Sequence, residues 1–307
     1  MKETPEERWE RIQQEAKLST HLRSAEVESV KNILWERASC FSDQPGTYKG
    51  VELKIDTGNA RPVSSRGYRN PKLSDPAFRQ QILEWEDIGI VEKSTSAWAA
   101  PVLVVPKKSG AFRTVIDFRG LNKLLAKEEN PIPRVMDVLD TLGGTKYVTS
   151  LDLTSGYYQL SVREEDRHKT AFTTPWGLWQ FRKVPQGISN VVPTTFQRTM
   201  EHLLRGLVGT SCLCFLDDIL IHSATFEQHL KDVDQVLERI QTAGMTLRLS
   251  KCRFFDREVE YLGHLISGDG GSVCTDKVEA VKSFPRPTGV TGVRSFLGIA
   301  NFYRRFF

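Results

Sequence analysis

SCLCFLDDILIHS (residues 211–223) sets two adjacent acids between two apolar runs. Both flanks call for burial, and a buried charge is costly unless it is paired or bound to a metal. A β-hairpin with Asp217 and Asp218 at its turn resolves the conflict, because the flanks then become buried strands. A plain Asp-Asp turn on a solvated hairpin would read the same way, since Asp is a common turn residue. A second embedded acid, Asp152, lies 65 residues earlier in YVTSLDLTSGYYQL (147–160). If that strand and the hairpin become sheet neighbours, three carboxylates gather and repel unless a divalent cation holds them. Mg²⁺ takes carboxylate oxygens and phosphates together. Two such ions about 3.5–4 Å apart form the clamp used for in-line phosphoryl or nucleotidyl transfer.

Working outward, PVLVVP (101–106) and FRTVID (112–117) are β-rich runs joined by a Lys-Lys-Ser-Gly-Ala turn, hence a hairpin. This segment is basic: Lys107, Lys108, Arg113, Arg119, Lys123 and Lys127 face a single acid, Asp117. Such a patch solvates a surface or neutralises phosphates. KTAFTTPWGLWQFRKVP (169–185) reads as two strands about a Pro-Trp-Gly turn. Helical spacing appears at 77–88, at 189–204 despite Pro193, and most strongly in TFEQHLKDVDQVLERIQTAG (225–244). A short helix is expected over Pro133–Leu142, and further helices in KVEAVKSFP and TGVRSFLGIANFYRRFF. VELKID (51–56), TLRLS, CRFF and VEYLGHLIS read as short strands. Strands and helices mix without regular βαβ alternation, which points to an α+β fold with an antiparallel sheet.

Composition narrows the class. Over 307 residues, 39% hydrophobic and 26% charged residues fit a globular chain and not a disordered one. No apolar run approaches the ~18 residues of a transmembrane helix, and the charged N-terminus is not a signal peptide. Five cysteines do not make a disulfide framework, so free thiols in a reducing compartment, cytoplasm or nucleus, are expected. The net charge of +4 says less than its clustering.

Three weaker signals are set aside. Asp56-Thr57-Gly58 matches an aspartic-protease triplet but lacks the apolar strands such a site needs. Cys212 and Cys214 share a strand face with no second Cys/His pair near them, which argues against zinc. His168, His202, His222, His229 and His264 show no ligand spacing; His229 reads as a surface or helix-packing residue. Cys40, Cys252 and Cys274 read as small buried hydrophobes.

The order of segments resembles the reverse transcriptases of Ty3/gypsy-type LTR retrotransposons. It is carried by GIVEKSTSAWAAPVLVVPKKSGAFRTVIDFRGLN (89–122), NPIPRVMDVLDTLGG (130–144), SLDLTSGYYQLSV (150–162), KTAFTTPWGLWQF (169–181), TTFQRTM (194–200), FLDDILIHS (215–223), KCRFF (251–255), VEYLGHLIS (259–267) and RSFLGIANFYRRF (294–306). The resemblance implies a right-hand polymerase fold: fingers and palm over 46–268, the start of a thumb over 269–307, and a helical extension or linker over 1–45. It implies RNA- and DNA-directed DNA synthesis with two Mg²⁺, Mn²⁺ being an alternative. Asp152, Asp217 and Asp218 would be the catalytic and metal-binding acids, with the Leu153 carbonyl as a further ligand. Deoxynucleoside triphosphate would meet Arg113, one of Lys107 and Lys108, Gln186, and Tyr157 as a steric gate against ribose. Template and primer would meet Asp117, Arg119, Asn122 and Gly187, and Tyr261, Leu262, Gly263 and His264. The expected partners are an RNA or DNA template with primer, deoxynucleotides, and the protease, RNase H and integrase of a parent Pol polyprotein; no membrane is expected.

There are departures from the family pattern. VPQGIS (184–189) is closer to retroviral enzymes, since most gypsy-type relatives carry Phe where Gln186 stands. Asn190-Val191-Val192-Pro193 alters the usual Asn-Ala-Pro, and Phe215 replaces a frequent Tyr. The sequence ends at Phe307, within the expected thumb, so a fragment of a longer polyprotein or a truncated copy is the expectation; a catalytically inactive nucleic-acid-binding remnant is the alternative to an active polymerase. A two-metal nuclease would leave Tyr157, Arg113 and Gln186 without a role.

Overall fold

The apolar runs within YVTSLD and DILIHS build the centre of the molecule. In the computed structural model, which describes residues 4–68, 76–106, 112–126, 142–189, 191–262, 264–267, 270–273 and 282–302, these runs form β5 (Tyr147–Asp152) and β9 (Asp218–Ser223). They pair antiparallel from Tyr147↔Ser223 to Asp152↔Asp218. Also in this sheet are β1 (Lys17–Leu18), β8 (Cys212–Phe215) and β10 (Arg253–Asp256), in the order β1-β10-β5-β9-β8. All pairs are antiparallel except the edge pair β1–β10, a parallel exception to the expected pattern.

The period of two gives the sheet two faces. Leu151, Ile219, Ile221, Cys212 and Cys214 join the main core. Val148, Leu213 and Leu220 join a smaller cluster with Val259, Tyr261 and Ile266. That cluster seats a second sheet, β11 (Glu258–Tyr261), β12 (His264–Ser267) and β13 (Gly270–Val273).

Helices cover the main-core face. The chain begins with α1 (Pro5–Glu15) and α2 (Ser24–Glu36), whose Ile12, Val30 and Leu34 are buried in the same core as Val236 and Phe254. α3 (Pro76–Asp87) and the short α4 (Arg119–Asn122) lie on the side of the β3 (Val102–Pro106)–β4 (Phe112–Ile116) hairpin. β2 (Val91–Lys93), β6 (Phe172–Thr174) and β7 (Gly177–Phe181) form a three-stranded sheet beside it. α5 (Val191–Leu203) follows, and Pro193 falls in its first turn, where its missing N–H is not needed. α6 (Phe226–Thr242) buries Phe226, Val233, Val236, Leu237 and Ile240. Thr225 caps its start and Gly244, at φ +75°, provides the left-handed exit. α7 (Val290–Phe302) is the last described element.

α6 is also tied by a buried polar chain. The Phe255 N–H donates to Thr149 Oγ1 at 3.1 Å, and Thr149 Oγ1 lies 2.8 Å from His229 Nε2. His229 Nδ1 lies 3.0 Å from Ser223 Oγ, which donates to Asp232 Oδ2 at 2.6 Å. Because Ser223 gives its one proton to Asp232, it accepts from Nδ1–H, and Nε2 accepts from Thr149. Burial pushes the His229 pKa down to about 3, which keeps the ring neutral. His229 is therefore a fully buried packing residue, which removes the surface alternative.

Two expected strands differ. VELKID makes only a single bridge, Leu53 to Val162, because the Asp166 carboxylate takes the Ile55 N–H at 2.9 Å in place of a neighbouring strand. TLRLS bridges only at Leu247, and Leu249–Lys251 closes into a 3₁₀ turn. Asp56 accepts the Gly58 N–H and pairs with Lys54, so this triplet is a surface turn. The helix expected over Pro133–Leu142 falls almost wholly outside the described residues, as do most of KVEAVKSFP and Cys274.

Candidate active site

β8 and β9 meet at a two-residue turn, Leu216-Asp217, flanked by the pair Phe215↔Asp218. Leu216 sits at φ +54°, as at the first position of a type II′ turn, a conformation that costs a non-glycine residue about 1–2 kcal/mol. Gln197, buried on α5, holds it there. Gln197 Oε1 accepts the Leu216 N–H at 2.8 Å, and its Nε2 donates to the Cys214 carbonyl at 3.1 Å and to Glu201 Oε1 at 2.9 Å. The Cys214 thiol adds a contact to the Leu216 carbonyl at 3.5 Å. On the other side, the buried Tyr261 hydroxyl donates to the Asp218 carbonyl at 3.2 Å.

Asp152 ends β5 directly across from Asp218. Both line a cavity of about 210 Å³ with Lys251, Arg253 and Tyr261. Lys251 Nζ lies 3.1 Å from Asp152 Oδ2. Partial burial, then the charges of Asp217 and Asp152, raise the Asp218 pKa to about 6, and Lys251 opposes that rise. A larger cavity, about 580 Å³, lies at the opposite end of β9 around His222 and Ser223. Five residues of strand, about 17 Å, separate it from the acids. The smaller one is the candidate site, because Asp152 and Asp218 line it.

Asp217 lies against the turn that follows β5. An added Cβ on Gly156 would stand 3.1 Å from the Asp217 Cβ and 3.1 Å from the Phe196 ring. The neighbouring Tyr157 ring packs edge-on against Phe196 at 5.1 Å. Burial, then the charge of Asp217, raises its phenol pKa. The Leu153 side chain is buried, so only its backbone can reach the cleft.

The β3–β4 hairpin meets the Pro-Gln-Gly segment beside this cleft. Arg113 Nη2 donates to Gln186 Oε1 at 3.2 Å. Asn122 brackets the next residues: its Nδ2 donates to the Gly187 carbonyl and its Oδ1 accepts the Ser189 N–H, both at 2.9 Å. Gly187, at φ +99°, adopts a conformation that favours glycine. Asp117 accepts the Arg119 guanidinium at 2.7 Å and the Tyr68 hydroxyl at 2.6 Å. Hydrogen bonding to Arg119 outweighs burial and holds the Asp117 carboxyl well below the usual range, so it is ionised.

The structure thus brings together Asp152, Asp218 and Lys251, sets Asp217 beside Gly156 and Tyr157, and joins Arg113 to Gln186. The Tyr261 side chain turns inward beneath the hairpin, so a primer contact there would fall to its backbone. Leu262, at φ +52°, packs on the smaller cluster. Lys107, Lys108 and Gly263 lie outside the described residues, as does the His264 side chain. Gln197, Lys251 and Tyr68 were not singled out from sequence. Gln197 did carry a signal, as an amide beside Phe196 on the apolar stripe of a helix. Among the described residues, no three or more acidic, His or Cys side chains form a ready-made metal cage.

Comparison with known proteins identifies the family. The family model described as "Reverse transcriptase (RNA-dependent DNA polymerase)" matches residues 105–266. The chain is 37% identical over 261 residues to the retrovirus-related Pol polyprotein from transposon 297 of Drosophila melanogaster, covering 83% of this chain and 25% of that protein. It is 37% identical over 262 residues to the corresponding polyprotein from transposon gypsy of the same organism, covering 83% and 25%. With the transposon Tf2-3 polyprotein of Schizosaccharomyces pombe it shares 33% over 263 residues, covering 85% and 20%. The chain therefore spans a quarter or less of the length of these relatives. Among solved structures, the foamy viral protease-reverse transcriptase dRH in complex with double-stranded DNA superposes with a TM-score of 0.86 at 25% identity, covering 97% of this chain and 52% of that one. The foamy viral protease-reverse transcriptase in complex with an RNA/DNA hybrid gives 0.83 at 24%, covering 97% and 40%. With more than half of its length inside the matched region, the chain belongs to the reverse transcriptase family.

Proposed function

We propose that this chain is the polymerase core of a retrotransposon Pol polyprotein, extending a primer with deoxynucleotides on an RNA or DNA template. The observation that carries the reading is the pairing of Asp152 with Asp218 across β5 and β9, with Asp217 in the adjoining turn. Mg²⁺ is commonly held by one or two carboxylates plus substrate phosphates, and the hard oxygens of Asp152 and Asp218 fit that pattern. When bound, the metal would favour ionisation of the primer 3′-hydroxyl and neutralise the leaving pyrophosphate.

The chain's own residues do the rest. Asp152, Asp217 and Asp218 supply the anionic cleft, and the Leu153 carbonyl would add a backbone ligand. Arg113, with Lys107 or Lys108, offers charge and a fork of donors to the triphosphate. Gln186, oriented by Arg113, would touch the sugar and base. Tyr157 would exclude a 2′-hydroxyl. The primer 3′-oxygen attacks the α-phosphorus, one P–O bond forms, and the bond to pyrophosphate breaks. Asp117, Arg119, Asn122 and Gly187 would meet the template, and the β11–β12 turn at Leu262, Gly263 and His264 would meet the primer.

The test is primer extension with deoxynucleotides and Mg²⁺ on RNA and on DNA templates, run beside an Asp217→Asn/Asp218→Asn double variant. Extension by the parent chain alone supports the reading. Tight primer–template binding without extension would favour a nucleic-acid-binding remnant.

A further inference from the structure

Lys251 ends the 3₁₀ turn Leu249–Lys251. That turn is pinned to the catalytic strand, because the Arg248 N–H donates to the Asp152 carbonyl at 2.9 Å. The Lys251 ammonium lies 3.1 Å from Asp152 Oδ2. Among the described residues, it is the one cation within ion-pair distance of Asp152, Asp217 or Asp218. Arg253 lines the same cavity, but its guanidinium is engaged by Asp256 at 2.8 Å. The Lys251 side chain is 54% exposed, so it can swing into water when displaced.

An ammonium and a divalent ion held on one carboxylate repel each other, so each weakens the other's hold. We infer that Lys251 is a built-in counter-cation that occupies Asp152 before loading and competes with the first divalent ion, so that it sets the metal concentration at which the site fills. This rests on the reading of Asp152 as a metal ligand. Lys251 is thus a positioning residue, and its effect should appear in metal affinity without nucleic acid or nucleotide present.

The experiment titrates Mn²⁺ into the full chain at pH 7.5, with free Mn²⁺ read by electron paramagnetic resonance. Lys251→Met should bind the first ion about two- to fivefold more tightly, the range allowed for a partly exposed ion pair. Lys251→Arg, which keeps the charge, should stay near the parent value. Arg253→Met reports the general field of the cavity and should change affinity less than Lys251→Met. Thermal melts confirm that each variant is folded, and Lys251→Gln replaces Lys251→Met if that one is not. Unchanged affinity in the neutral Lys251 variants overturns the inference alone, as does an equal gain in Arg253→Met. Absence of Mn²⁺ binding that depends on Asp152, tested with Asp152→Asn, overturns the metal reading with it.

Discussion

The Gln197 amide accepts the Leu216 N–H at 2.8 Å and so fixes the backbone of the turn that carries Asp217. A single side chain on α5 thereby couples the helix to a left-handed, non-glycine turn position. Replacing it with Ala leaves the Leu216 N–H and the Cys214 carbonyl without their partner near the core. The expected cost is about 1–3 kcal/mol of stability. Relaxation of the turn should also move Asp217, and small misplacements of catalytic groups are expensive. We expect Gln197→Ala to lower kcat for primer extension about tenfold, with KM for nucleotide within about twofold. Steady-state kinetics on primer–template decide this, and an unchanged kcat would remove the turn from the mechanism.

Asp218 makes a pH prediction. Its folded-state pKa is raised to about 6, first by partial burial and then by Asp217 and Asp152. Between the ordinary carboxylate value and about 6, the folded protein binds this proton more tightly than the unfolded chain. Stability contributed by that proton is therefore present at low pH and lost as pH rises through about 6. Asp218→Asn, which carries no charge, should raise the melting temperature at pH 8 and have little effect at pH 4.5. The group is exposed enough for solvent to screen it, so the gain should be about 1 kcal/mol or less. On the proposed reading, a divalent ion held by Asp218 would compete with the same proton, so extension should fall as pH drops below about 6. A melting difference independent of pH would show that Asp218 is not the titrating group.

Gly156 tests how tightly the Asp217 turn is packed. A methyl group there would meet the Asp217 Cβ and the Phe196 ring, both at 3.1 Å, and one of them must shift. Gly156→Ala should therefore lower kcat about tenfold while the protein stays folded at 25 °C. Gly143→Ala is the control, because among the described residues nothing lies within 4 Å of its added Cβ. Equal activity in both variants would mean that the turn gives way at no cost to catalysis.

The centre of this fold was legible because its pattern is local. Short apolar runs in CLCF, DILIHS and YVTSLD mark strands buried on both faces, and the embedded acids stand out against those runs. The helix around His229 was legible for the same reason, through its 3.6-residue stripe. The role of His229 was not, because its partners Thr149 and Ser223 come from other strands. The pairings of Lys251 and Tyr261 were hidden likewise: their partners lie 99 and 43 residues away, at Asp152 and Asp218. VELKID misled because a strand-like pattern cannot reveal that Asp166 will take one of its backbone donors.

Tyr157 carries the last prediction. Its ring is half-buried, packs edge-on against Phe196 at 5.1 Å, and stands beside Asp217. An aromatic wall beside Asp217 can exclude a hydroxyl from a bound sugar only if the wall cannot move. Tyr157→Val removes the wall and should admit ribonucleotides, with the deoxy-to-ribo preference in kcat/KM falling at least tenfold. Phe196→Leu keeps the tyrosine but removes its edge-to-face support, worth about 0.5–1.5 kcal/mol. It should relax discrimination by a smaller factor, because the ring gains freedom without losing its bulk. Single-nucleotide insertion with matched deoxy- and ribonucleotide pairs measures both variants. Discrimination unchanged in Tyr157→Val would leave the sugar to be read elsewhere in the cleft, and discrimination lost equally in both would make the position of the ring, not its size, the determinant.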